Sequence, residues 1–177
     1  MDEVTGEMGD AGTGYPLAWR FSVEVAKAWE QALFDAPTPN TRRIALRSAI
    51  MMGPGRGGVL SILLNLVRLG LGGSAGPGTQ FVSWIHETDL VRAIEFLTAQ
   101  PGLEGCVNVS APNPIGNRDF MQALRQAYGI QCGLPAARWM LEIAAFFHRT
   151  ETELLLKSRR VLPRRLLDAG FEFTFPQ

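Results

Sequence analysis

Apolar residues recur at three-residue spacing through WRFSVEVAKAWEQALF. There Val23, Ala26, Trp29 and Ala32 align, which predicts a helix from Trp19 to Phe34 with a bulky face turned inward. The eighteen residues before it hold four glycines and no periodicity, and read as a loop. RIALRSAIMM, residues 43–52, is largely apolar and runs into a glycine-rich turn. That suits a buried strand of a parallel sheet, both faces of which are covered. Leu60, Leu63, Leu64 and Val67 form one stripe of a second helix over 59–69, stopped by Gly70, Gly72 and Gly73. Gln80–Ile85 is a short β-like run, and Glu87–Ala99 a helix with Thr88 or Asp89 as its cap. Cys106–Val109 reads as a brief strand. Asn117 offers a cap to a helix in which Phe120, Leu124 and Tyr128 recur every four residues.

Beyond Gly133 the pattern turns mainly helical. Pro135 suits a first helical turn, Thr150 with Glu153 has the spacing of a capping box, and Pro163 can open a short helix closing at Gly170. Residues 171–175 alternate apolar and polar, as a half-exposed extended segment does. The succession of strands and helices implies an α/β architecture in three parts: a loop over 1–18, an α/β portion over 19–132 and a small helical portion over 133–177. The 59–69 helix is long enough for a crossover, so strands 43–51 and 81–85 are expected to be parallel neighbours or near neighbours in one sheet.

Composition narrows the chemistry. Hydrophobic residues make up 46% and charged residues 19%, a balance that supports a folded core. Lysine plus arginine and aspartate plus glutamate both number 17. With no net charge, neither nucleic acid nor an anionic membrane is expected as the main partner. The two cysteines, Cys106 and Cys132, and the two histidines match no metal-ligand spacing, so no metal is expected. The apolar run around Val59–Val67 is too short to span a bilayer, and a cytoplasmic setting is the default. The cluster Gly53–Gly58 is read as a plain strand-to-helix turn rather than a pyrophosphate cradle, on the expectation that it lacks the Gly-x-Gly-x-x-Gly spacing and that no acidic ribose contact follows it.

RIALRSAIMMGPG, then Thr79-Gln80 leading into FVSWIHETDLVRAIEFL, then VNVSAPNPIGNRDFMQAL, resembles the second half of the extended short-chain dehydrogenases. More narrowly, the chain is similar to the epimerase-like family 39U and its bacterial counterparts. LLLKSRRVLPRRLLDAGFEFTFP resembles the small carboxyl-terminal domain of unknown function in that family. The likeness runs from about Trp19 to Pro176. It implies the carboxyl-terminal portion of a Rossmann-like fold with a small substrate-side subdomain. It also implies NAD or NADP as cofactor of the full-length protein, none for this chain alone, and a small-molecule substrate such as a sugar nucleotide. Two departures stand out. Family members usually carry Tyr-x-x-x-Lys on the helix matching Trp19–Phe34, whereas Val23 stands four residues before Lys27 here, and Tyr15 lies far upstream. Nucleotide-sugar members often carry an arginine four residues before the motif histidine, where this chain has Val82.

No catalytic residue can be named from the sequence. Arg47, Asn65, Trp84, His86 and Asn113 are the substrate-binding candidates. His86 stands at the end of the short β-like run, where α/β folds display ligand-facing groups, and is also suited to holding the following helix start. Arg47, on an apolar strand, needs an anion, either a structural carboxylate or a substrate phosphate. Asp89, Asn117 and Thr150 are expected to act as helix caps. A sheet deprived of early strands exposes an edge, so self-association, including a homodimer, is expected. The competing reading is a noncatalytic nucleotide-sensing or protein-interaction module on the same fold.

Overall fold

The computed structural model describes residues 2–3, 17–55, 58–134, 158 and 160–177. The order of elements is α1 (Leu17–Asp35), β1 (Ile44–Ser48), β2 (Ile50–Met52), α2 (Val59–Arg68), β3 (Phe81–Val82), β4 (Trp84–His86), α3 (Glu87–Ala99), β5 (Gly105–Val109), β6 (Ile115–Gly116), α4 (Asn117–Ala127) and a last short helix, α5 (Arg164–Asp168). Pro135, Thr150 and Glu153 lie outside the described residues.

The expected strand 43–52 exists, but its two halves have different partners. β1 runs parallel to β5 from Ile44↔Gly105 to Ser48↔Val109, while β2 runs parallel to β4 from Ile50↔Trp84 to Met52↔His86. The parallel pairing expected for 43–51 with 81–85 is therefore made by the 50–52 end. The changeover falls at Ala49, whose N–H donates to Val109 O at 3.0 Å, while the next N–H, Ile50, donates to Ser83 O at 3.3 Å. Ala111 N–H in turn donates to Trp84 O at 2.7 Å. β5 and β4 thus diverge from one strand. β3 and β6 form a separate antiparallel pair.

Two apolar clusters fill the interior. Ile85, Ala93, Leu97, Val107, Val109, Leu166 and Phe171 join β4, α3, β5, α5 and the carboxyl-terminal tail. Met52, Leu63, Val67, Phe120 and Met121 join β2, α2 and α4. The α2 stripe matches expectation, with Leu63 and Val67 buried. The α4 stripe contains Asn117, Phe120 and Met121, and Tyr128 lies beyond the helix and exposed.

α1 corrects the sequence reading. Val23 is buried, but Trp29 is 74% exposed and Phe21 68% exposed. Trp29 belongs both to the three-residue row of Val23 and to a four-residue row with Phe21 and Leu33, and the four-residue row faces outward. Both rows were apolar, and nothing in the local sequence says which one meets the sheet. Polar contacts decide it: Glu30 on α1 reaches Arg47 on β1, and Arg43 Nη1 donates to Phe34 O and Ala36 O at the end of the helix.

Candidate substrate cleft

A cleft of about 420 Å³ opens where β1 ends and β2 begins, between the start of α2 and the strand β3. Ile50, Met51, Val59, Phe81, Val82 and Val161 supply its apolar walls, and Ser48 and Ser83 its hydroxyls. The cleft thus lies at the carboxyl end of β1 and at the amino ends of β2 and β4, and its volume is within the usual range for small-molecule sites. The Ser48 hydroxyl is exposed and donates to Ala49 O at 2.9 Å. Ser83 is buried, and its oxygen accepts the Val161 N–H at 2.9 Å, which ties the segment before α5 to the cleft wall.

The turn from β2 to α2 also borders the cleft through Gly58. Gly53, Gly55 and Gly58 do keep the Gly-x-Gly-x-x-Gly spacing, and they join a parallel strand to a helix, so spacing gives no ground for setting the cluster aside. Packing does distinguish it from a phosphate cradle. A Cβ at Gly53 would come within 2.0 Å of Glu87 Oε2, so this glycine admits a carboxylate rather than leaving room for a pyrophosphate.

None of the five residues selected from sequence lines this cleft. Arg47 makes a two-point pair with Glu30, Nε to Oε1 at 2.8 Å and Nη2 to Oε2 at 2.9 Å. Of its two expected anions, the carboxylate is the one present. The hydrogen bond from Arg47 lowers the Glu30 pKa against the opposing effect of burial, and the same bond raises that of Arg47. Cys106 Sγ donates to Glu30 Oε2 at 3.4 Å, and burial first, then Glu30, pushes the thiol pKa up. Asn65 is exposed and accepts from Arg68 Nη1 at 3.5 Å. Trp84 packs against the second apolar cluster. Asn113 donates from Nδ2 to Pro176 O at 3.1 Å, which pins the end of the chain.

His86, not Thr88 or Asp89, caps α3: its Nδ1 accepts the Thr88 N–H at 3.1 Å. The Phe175 ring stacks on the imidazole with centroids 3.9 Å apart. Asp89 is fully buried inside the first turn, and grips the tail instead of capping. Oδ1 accepts the Thr174 N–H at 2.9 Å, Oδ2 accepts the Phe175 N–H at 2.8 Å, and Arg92 Nη1 lies 3.0 Å from Oδ1. Burial alone would raise the pKa of this carboxyl, but the two backbone N–H groups and Arg92 outweigh it and leave the pKa lowered. Asn117 is likewise not the cap of α4. Gly116 holds that position, and the buried Asn117 Oδ1 accepts the Ala75 N–H at 2.8 Å from the loop before β3. In both helices a side chain suited to capping was drawn into a long-range contact, and such contacts have no local signature.

Sequence reasoning passed over Ser48 and Ser83, which lack any motif, and Arg42, whose guanidinium donates to Leu97 O, Thr98 O, Gln100 O and Leu103 O at the end of α3. A cation beside a helix with no basic residue in its last turn is the one signal that could have found Arg42. Among the described residues, no group of three or more His, Cys, Asp or Glu side chains could hold a metal ion, and no helix is long and apolar enough to cross a membrane.

Residues 136–177 match the family model described as a domain of unknown function (DUF1731). The chain is 35% identical over 157 residues to the epimerase family protein SDR39U1 of Homo sapiens, covering 89% of this chain and 52% of that one. It is 34% identical over 172 residues to an epimerase family protein of Mycobacterium bovis, covering 97% and 54%. The chain therefore spans about half the length of the curated relatives it matches. Its fold superposes on the crystal structure of the human SDR39U1 protein (isoform 2) with NADPH at a TM-score of 0.81 and 30% identity, covering 100% of this chain and 56% of that one. A nucleoside-diphosphate sugar epimerase of Corynebacterium glutamicum superposes with a TM-score of 0.72 at 26% identity, covering 100% and 31%. Motifs, fold and relatives agree that the chain is similar to part of the epimerase family proteins and shares their Rossmann-like fold.

Proposed function

We propose that the chain is the substrate-side part of an NAD(P)-dependent epimerase or oxidoreductase. On this reading the dinucleotide is held by a complementary half of the fold, and the reacting hydroxyl or keto group by the cleft described above. The observation that carries the reading is the cleft at the carboxyl end of β1, beside the start of α2, in a fold shared with an NADPH-bound relative. The chain's own glycine turn does not fit a pyrophosphate, because Glu87 fills the approach to Gly53 and no acid follows at the distance a ribose contact needs. A sugar nucleotide is the substrate class the family suggests, and the protein would work in the cytoplasm on a small molecule.

The residues of α1 favour a second reading. Phe21, Ser22 and Val23 stand near the place of the acid/base tyrosine, and no tyrosine lies four residues before the exposed Lys27. With no Tyr-x-x-x-Lys pair on α1, the same fold could serve as a noncatalytic nucleotide-sensing or protein-interaction module. Calorimetric titration of NADPH and NAD separates the readings when done on the 177-residue chain and on the same chain joined to the amino-terminal half of the human relative. The enzyme reading expects no stoichiometric binding to the chain alone, and binding with turnover of a hydroxy or keto substrate in the joined protein. Cofactor binding without turnover of any such substrate would favour the module. Low-micromolar binding to the chain alone would refute both the division of labour and the account of Gly53.

A further inference from the structure

We propose that the cleft accepts an uncharged hydroxy or keto compound with an apolar body, its oxygen directed at Ser48, rather than the diphosphate of a sugar nucleotide. The inference rests on the substrate-side reading above and narrows it. Six apolar side chains surround one exposed hydroxyl, and among the described lining residues none carries a charge. A diphosphate moved from water into such surroundings loses its hydration and needs matched cations to offset the loss.

Among the described residues, the charges around the cleft do not supply that match. Arg47 precedes Ser48 in sequence, but strand alternation turns the two side chains to opposite faces, and Arg47 is neutralised by Glu30 through two hydrogen bonds. Arg160 lies over the Phe81 ring at 5.4 Å, where its charge meets an aromatic face. The carboxylate of Glu87 presses against Gly53 in the turn leading to α2. Its field opposes a second anion at that turn. The start of α2 offers backbone N–H groups, whose partial charge suits a carbonyl oxygen better than two full negative charges. The walls match an aliphatic or aromatic body of modest size, and Ser48 can both donate to and accept from a single oxygen.

Methyl NMR of the isotope-labelled 177-residue chain tests this, with 2-octanone and UDP-glucose titrated separately. Ile50, Val59 and Val161 are the reporters within the cleft, and Leu166, buried in the other cluster, is the control. The ketone should produce saturable shifts confined to the cleft methyls, and UDP-glucose none. Ser48→Ala should weaken the ketone by about two- to tenfold, the loss of one hydrogen bond. Met51→Arg, a change at a half-exposed wall position that leaves the buried clusters intact, should abolish ketone binding and admit UDP-glucose. Saturation of the cleft methyls by UDP-glucose in the unmodified chain would overturn the proposal, as would silence of these methyls towards 2-octanone. An unchanged affinity in Ser48→Ala would overturn the assigned oxygen contact. Failure of the dinucleotide reading would show in the cofactor titration and leave these shifts untouched, so the two are distinguishable.

Discussion

Replacing Asp89 with alanine should release the carboxyl-terminal tail. The carboxylate is fully buried and accepts from two successive backbone N–H groups, Thr174 and Phe175, and from Arg92. Hydrogen bonds to a charged group contribute about 1.5–3 kcal/mol each. The tail can retreat into water, so its N–H groups need not stay buried and unsatisfied, and the net cost should be nearer one such pair, about 2–4 kcal/mol. For a chain of this length each kcal/mol moves Tm by about 2–4 °C, which puts the expected fall at about 4–16 °C. The Phe175 ring, stacked on His86, would leave with the tail. Thermal unfolding followed by circular dichroism measures the first effect, and the His86 ring proton shifts report the second. A chain ending at residue 172 provides the control. If Asp89 acts only by holding the tail, the truncation and Asp89→Ala should cost about the same, and together no more than either alone. Acid supplies an independent check. The folded pKa of Asp89 is lowered from an ordinary value of 3.8, so its contribution is complete above that value and fades as pH falls through the lower folded value. That acid-labile component should be absent from Asp89→Asn. Additive losses from truncation and substitution, or a Tm within 1–2 °C of the unmodified chain (about half a kcal/mol or less), would refute the account.

Four further outcomes are expected. Arg47→Ala should destabilise by about 1–3 kcal/mol in denaturant titration, because Glu30 loses both of its guanidinium bonds. A double-mutant cycle with Glu30→Gln should show strong coupling, and the Glu30 contribution should fade only as pH drops below its ordinary value of 4.5. Glu30→Gln should also make Cys106 react faster with a thiol reagent at pH 8, since a carboxylate that holds the thiol protonated is gone. His86→Ala should cost about 1 kcal/mol as a lost cap, measured by denaturant unfolding, without altering ligand shifts at Ile50 or Val59. Phe21→Glu with Trp29→Glu should reduce self-association in sedimentation velocity while leaving Tm nearly unchanged, because both side chains face outward.

The order of strands and helices was legible because it rests on local periodicity. The α2 stripe, the 87–99 helix and the alternation of Phe171, Glu172 and Phe173 were each visible within a few residues. Orientation was not legible where two apolar rows competed, as on α1, since Val23 and Trp29 have equal local claims and only Glu30's distant partner separates them. The site was less legible still. Charged and aromatic residues drew attention, yet Arg47 and His86 found partners within the fold: Arg47 is neutralised by Glu30, and His86 caps α3 beneath Phe175. The cleft is lined instead by residues of no special chemistry, placed there by the divergence of strands. Asp89 and Asn117 show the same limit: local rules assign them to helix ends, while partners 85 and 42 residues away claim them.

The divided strand also decides where the chain tolerates changes in length. Had residues 44–52 followed one neighbour throughout, a slip by one position could be shared along the whole ladder. Here the stretch before Ala49 is indexed against β5 and the stretch after it against β4, so neither ladder can move to accommodate the other. An extra residue at the junction would invert every side chain beyond it, bringing Met52 out of the interior and Met51 into it. The turn at Pro101–Gly102 feeds only one ladder and has open space around it, so it should absorb the same insertion. Natural length variation should therefore be purged at the junction and permitted at the turn, and a gene library with single-codon insertions would reveal that difference as a sharp gap at one codon.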